Sequence, residues 1–170
     1  MKQSLSTREL AIFGVLAAVM ISTKKAMEAL PNIHLVGVLI VAMTVVYRAK
    51  ALFPLYVYVI LEGIFGGFGT WWLPYLYIWT VLWGMTMLLP VNIPEKTQPF
   101  VLGGICGLHG ILFGILYAPS QMLLFGLNLK GAAAWVAAGF PFDCIHGISN
   151  LILGIVLIVP LVRILKRFGT

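Results

Sequence analysis

Three residues able to do chemistry stand together near the end of the chain: Asp143, His146 and Asn150. Offsets of three and four place them on one face of a helix. Polar groups in so apolar a stretch are costly to bury, so they face the interior of a helix bundle or a water-filled cavity. Two readings follow. They form a hydrogen-bonding wall of a ligand pocket, or Asp143 caps the helix N-terminus while His146 and Asn150 tie helices together. Asp143, His146 and His109 have ligand chemistry for a metal, but no spacing among them requires one, and no metal site is assigned.

A second stretch, residues 66–83, holds four of the five Trp of the chain. A glycine-rich run leads into Trp71 and Trp72, and Pro74 opens a helix, where its missing N–H costs nothing. Tyr75, Trp79 and Trp83 then repeat every four residues on one face. The rings either wall a ligand site or form an interfacial belt at headgroup level, and Trp83 lies deep for a belt. Glu62, one turn after Tyr58, is an acid in mid-helix and by default a functional residue. It is neutral, or pairs with a cation or His109. His109, between Leu108 and Gly110, reads as an interior histidine or a pocket group. Tyr117 and Gln121 are pocket-rim groups.

The elements that must position these residues are membrane helices. The chain is 61% hydrophobic and only 9% charged, where a soluble domain carries about 25% charged residues. Mean hydropathy is +1.04. The apolar runs are continuous, as helices require, and do not alternate as barrel strands would. One domain over 1–170 accommodates about six spans of roughly 20 residues. They are expected at 8–24, 34–47, 51–65, 74–90 and 99–117, with a last span starting near Ala132 or Pro141 and ending by Arg167. Residues 118–131 are expected as a long connection. The first span is read as a retained helix, not a cleaved signal. Cys106 and Cys144 read as buried thiols. Between spans 1 and 2 the spacing predicts a Lys24–Glu28 pair.

Charge gives the orientation. Lys2, Arg8, Arg48, Lys50, Lys96, Arg163, Lys166 and Arg167 fall on one side, and Lys24, Lys25 and Lys130 on the other. The fold expected is therefore an all-α membrane protein, a compact bundle of six transmembrane helices with both termini cytoplasmic. Loops 25–33, 66–73 and 118–131 then lie outside. The net charge of +6 is scattered over span ends and does not point to nucleic acid. A phosphate-binding Gly-x-x-x-x-Gly-Lys-Ser/Thr loop, His-Glu-x-x-His, Gly-x-Ser-x-Gly and an arginine series are all missing from the sequence, so no enzyme is predicted.

Span 1 carries Ala11, Gly14 and Ala18 on one face, with Gly14 and Ala18 a small-xxx-small pair that lets helix backbones approach. The face packs within this chain or docks a partner. Together with Pro141-Phe142-Asp143-Cys144-Ile145-His146-Gly147-Ile148-Ser149-Asn150 entering the last span, it resembles an S component. S components are the substrate-binding membrane subunits of energy-coupling factor (ECF) transporters of bacteria and archaea. The resemblance implies a binding subunit in the plasma membrane that captures a vitamin or vitamin precursor outside. It implies docking through Ala11, Gly14 and Ala18 to a transmembrane coupling subunit driven by two cytoplasmic ATPases, and delivery of the substrate by toppling. ATP is used only by those partners, and no cofactor of this chain's own is implied. Tyr75, Trp79, Trp83, Glu62, His109, Tyr117, Gln121, Asp143, His146 and Asn150 are the expected substrate-binding residues. The aromatic content suits a flat or bulky ligand. Cobalamin or a related corrinoid is the first expectation, with a pyrimidine or queuosine precursor, a small intramembrane enzyme, or a channel as alternatives.

Overall fold

A computed structural model describes residues 5–168; Lys2, one of the cations counted above, lies outside them. Seven α-helices and a short 3₁₀ turn account for most of the described chain. Helix α1 (Thr7–Ala26) opens on a capping box. The Glu9 N–H donates to the Ser6 hydroxyl at 3.2 Å, and the Ser6 N–H donates back to the Glu9 carboxylate at 2.9 Å, which satisfies two otherwise free donors. Its buried face is Phe13, Ala17, Met20 and Ile21, the spacing of one helical stripe.

Helix α2 (Val36–Tyr47) is buried continuously from Val36 to Thr44. A helix apolar on all sides belongs at the centre of a bundle. The chain reverses at Arg48, which takes φ +51°, a value rare for a residue with a Cβ. Its guanidinium donates to the Met87 carbonyl at 3.0 Å. The 3₁₀ turn Arg48–Ala51 then leads into α3 (Leu52–Gly66), which ends at Gly67 with φ +84°. Helices α4 (Tyr75–Met87), α5 (Gln98–Ile111), α6 (Phe113–Phe125) and α7 (Leu129–Phe168) complete the order.

Long-range contacts fix the directions. Lys50 meets Glu9 at 2.6 Å and Lys24 meets Glu62 at 2.7 Å, so α3 runs parallel to α1. Tyr47, at the end of α2, packs edge-on against Phe13 of α1, and its hydroxyl reaches the Leu165 carbonyl of α7. The start of α1 and the end of α7 therefore meet at one end of the bundle. The chain traverses the bundle six times, α5 and α6 together making one pass. Three helical stretches are long and apolar enough to cross a membrane: Val36–Gly66, Gln98–Phe125 and Leu129–Phe168. The first of these folds back on itself at Arg48. Large apolar side chains such as Val15, Ile60, Leu108, Ile115 and Ile152 cover the outside, as lipid-facing helices require. The coarse expectation, an all-helical protein of membrane character, holds.

Two expectations about the elements fail. Residues 118–131 are not a long connection: α6 continues helical to Phe125 despite Pro119, leaving only 126–128 between helices. The last helix begins at Leu129 and not at Ala132 or Pro141, and it passes through Pro141 and Pro160 without ending. Packing holds these proline-containing helices together, because neighbouring helices offset the lost hydrogen bonds.

The tightest packing in the molecule joins α5–α6 to α7. Gly103, Gly107, Gly110 and Gly114 recur at intervals of four, three and four and face α7. A Cβ added at Gly110 would lie 2.7 Å from the Gly147 Cα, and one at Gly154 would lie 2.7 Å from the Gly103 Cα. Backbone meets backbone along this seam, the arrangement small residues permit in membrane bundles.

Candidate functional site

The candidate residues gather toward the end of the bundle opposite the start of α1 and the end of α7. The glycine break after α3 leads the chain over this end, and two tryptophans anchor it there. The Trp72 indole N–H donates to the Val59 carbonyl at 2.7 Å, and the Trp71 carbonyl accepts the Tyr117 hydroxyl at 2.8 Å. Trp71 of this connection and Tyr75 and Trp79 of α4 then form an edge-to-face ladder, with ring centroids 5.6 and 5.5 Å apart. Trp83 continues the face in sequence but stands apart in space. Its indole N–H donates to the Arg48 carbonyl at 3.1 Å, near the opposite end.

A second ladder faces the first. His109, Phe113 and Tyr117, four residues apart across the α5–α6 junction, have successive centroids 6.1 and 6.0 Å apart. Tyr117 stacks on Trp135 of α7 at 5.7 Å. The 67–74 connection, α6 and α7 together enclose an open pocket of about 420 Å³. Its walls include Trp71, Phe113, Tyr117, Gln121, Trp135 and Asp143. Such a volume lies within the range of small-molecule sites.

Asp143 does not cap its own helix, since α7 starts well before it. Its Oδ2 accepts the Gly114 N–H at 3.1 Å, capping the first turn of α6 where the α5–α6 junction frees a donor. The glycine there has no side chain to keep the carboxylate away.

Behind this pocket lies an inner cluster. Trp79 is fully buried, and its ring is surrounded by His34, Tyr58, Tyr75, His109 and Phe113 at centroid distances of 5.5 to 6.4 Å. His34 and His146 stand 4.8 Å apart, and Phe113 lies 4.9 Å from His146. All three histidines of the chain are thus in one place. His109 Nε2 lies 3.0 Å from the Ile78 carbonyl and donates to it. His34, in the connection between α1 and α2, is held down to about 4, first by burial and then by the charge of Lys24. It is neutral near pH 7 and offers one donor and one acceptor. Asn150, one turn below His146, is wedged against Gly37 of α2, where a Cβ would meet Cys106 Sγ, Asn150 Nδ2 and Leu82.

At the edge of the cluster Lys24 pairs with Glu62 and sits 5.4 Å from the centre of the Tyr75 ring. The expected Lys24–Glu28 pair is therefore replaced: Lys25 takes Glu28 at 3.1 Å, and Lys24 reaches across to the buried carboxylate. A carboxylate shut away from water gains far more from a cation than an exposed one does.

Of the residues predicted from sequence, the structure brings Tyr117, Gln121 and Asp143 to the outer pocket. It brings Glu62, Tyr75, Trp79, His109, His146 and Asn150 to the inner cluster. It leaves Trp83 apart. On α1, Ala11, Gly14 and Ala18 are all exposed and point away from the body of the chain. A Cβ at Gly14 would touch nothing within 4 Å, and Ala11 borders an apolar groove of about 400 Å³ against α2 and α7. Packing within the chain is thus not what this face does.

Sequence reasoning missed His34, Phe113 and Trp135; for Glu62 the cation alternative holds, the cation being Lys24. A signal existed for Phe113: His109, Phe113 and Tyr117 repeat the four-residue spacing already noted for Tyr75, Trp79 and Trp83. Among the described residues no three His, Cys, Asp or Glu converge as metal ligands. No family model, no curated protein and no solved structure matches this chain.

Proposed function

We propose that the protein is a membrane-embedded small-molecule-binding subunit, an S component of an ECF-type transporter. The observation that carries the proposal is the convergence at one end of the bundle of a ring-walled pocket with Asp143 and Gln121 in its wall. Aromatic walls with a few placed polar groups bind and orient a ligand. Binding, not conversion, is the proposed activity. In this reading the six traverses are six transmembrane spans in the plasma membrane. Both termini are cytoplasmic, beside the basic end that carries Arg48, Lys50, Arg163, Lys166 and Arg167, and the pocket opens outside.

The outward face of Ala11, Gly14 and Ala18 supports docking to a transmembrane coupling subunit. That subunit is driven by two cytoplasmic ATPases, and the bundle topples to deliver its cargo. The ligand is a vitamin or vitamin precursor. A pocket of about 420 Å³ suits one or two rings, which favours the compact candidates over a corrinoid.

Two measurements test this. Native mass spectrometry of the purified protein should release a ring-bearing small molecule, retained less by Asp143→Ala and Tyr117→Ala. Co-expression with a coupling subunit and its ATPase pair should give a stable complex. Gly14→Leu should break that complex while leaving the bound molecule in place. Assembly unaffected by Gly14→Leu rules out the docking face. A protein that neither carries a small molecule nor assembles rules out the S-component reading.

A further inference from the structure

We infer that the outer pocket continues, behind the ring of Phe113, into an inner chamber where Asn150, His146 and Trp79 bind the edge of a neutral, planar nitrogen heterocycle. That edge presents a hydrogen-bond donor and an acceptor side by side, as a cyclic amide does.

The starting observation is a concentration of unpartnered polar atoms. Trp79 Nε1, His109 Nδ1, His146 Nε2 and both amide atoms of Asn150 are shut from solvent without a hydrogen-bond partner. About nine in ten buried polar groups in folded proteins are partnered. Among the described residues, every such orphan belongs to this one cluster. Trp79, His109 and Asn150 are fully buried, and His146 is 2% exposed. Orphans scattered through a bundle would mark packing faults. Orphans converging on one place are a set of donors and acceptors arranged for something that is not protein.

Phe113 joins this cluster to the outside. Its ring lines the outer pocket, and its centroid lies 4.9 Å from His146 and 5.7 Å from Trp79. The Phe113 ring thus lies between the two and must turn aside for a ligand to pass inward. Fully buried and unpaired, Asn150 offers a donor and an acceptor in one plane. This is the pair by which Asn reads the adjacent donor and acceptor on an adenine edge. The ligand is neutral because Lys24 and Glu62, at the edge of the cluster, already neutralise each other, the Asp143 carboxylate faces the outer pocket and the Gly114 N–H, and an unpaired charge deeper in would be costly to bury. It is planar because its walls are the rings of Trp79, Phe113 and the histidines.

The inference rests on the reading of this end as the ligand-binding end. It is tested with three small probes on the full-length protein in detergent, by titration calorimetry. They are 2-pyridone, whose ring carries adjacent N–H and C=O groups, 1-methyl-2-pyridone, which lacks the donor, and toluene. The expected result is saturable binding of 2-pyridone, with 1-methyl-2-pyridone weaker by roughly tenfold, the worth of one hydrogen bond in a buried site, and toluene weaker still. Equal affinity for 2-pyridone and toluene, or saturable binding of neither, overturns the inference and leaves the cluster to water.

The variant Asn150→Leu adds a second readout. It should weaken 2-pyridone by roughly tenfold or more while raising the melting temperature of the ligand-free protein, because an apolar isostere removes two unsatisfied buried atoms. A fall in melting temperature would instead make Asn150 a structural tie and overturn its assignment. His146→Phe gives an independent check on the same loss of affinity. A co-purified molecule held by Asp143 and Tyr117 but unaffected by Asn150→Leu would overturn the inner chamber alone and leave the proposed function standing.

Discussion

Lys24 and Glu62 show how a buried group decides its own partner. The Glu62 side chain is 3% exposed and has Lys24 at 2.7 Å. Removing only the lysine leaves an uncompensated buried carboxylate, which costs about 3–5 kcal/mol. Lys24→Met should therefore lower stability by about that amount in chemical denaturation. The double variant Lys24→Met, Glu62→Leu should recover most of the loss. Equal destabilisation in both would mean that the pair is not what holds these helices. The sequence offered Lys24 a legitimate local partner in Glu28, at the correct helical offset. What it did not show was that the end of α3 returns beside the end of α1. His34 was illegible for the same reason: nothing in Ile33-His34-Leu35 says that the connection folds inward against Trp79 and His146. Asp143, Tyr117 and Gln121 were legible because their helical offsets put them on pocket-facing sides whatever the helices' exact ends.

The elements were read well where apolar runs were bounded by polar turns, and poorly where proline and glycine were taken as punctuation. Helices α1 to α3 fall within two residues of expectation, the ordinary scatter of helix ends, and α4 ends three residues early. The runs through Pro119 and Pro141 were divided because proline removes a donor and crowds the preceding turn; in the bundle, neighbouring helices outweigh that loss. The seam of α5–α6 against α7 was readable in principle. The rule applied to Gly14 and Ala18 also picks out Gly103, Gly107, Gly110 and Gly114, and the structure shows that the second set, not the first, is used inside the chain. A Cβ at Gly110 meets the Gly147 backbone at 2.7 to 2.8 Å, whereas one at Gly104 meets nothing within 4 Å. Gly110→Ala should accordingly cost about 1–3 kcal/mol through overpacking, while Gly104→Ala should be neutral or slightly stabilising, since alanine favours the helix. Thermal unfolding of the two variants side by side distinguishes a packed seam from a general intolerance of α5.

For the whole molecule, the six traverses place Lys96 and Lys130 at opposite ends of the bundle, one before α5 and the other just after α6. Single cysteines at these two positions, in a chain freed of Cys106 and Cys144, should react with an impermeant thiol reagent from opposite sides of a sealed vesicle. Reaction from the same side would contradict the six-span reading. The passes are unequal in length. Helix α7 has 40 residues, about 60 Å at 1.5 Å per residue, against a hydrocarbon layer of about 30 Å. If α7 crosses such a layer, part of it extends past the hydrocarbon or it lies steeply tilted. The glycine seam governs how this long pair moves. Gly103 and Gly110 are separated by one heptad, as are Gly147 and Gly154. Because Gly107 and Gly114 share that face, sliding one helix along the other brings glycine opposite glycine again after four residues, about 6 Å, and displacements between these registers set a side chain against backbone. The pair is thus a two-notch ruler: it tilts as one rod or jumps a full notch, and it does not creep.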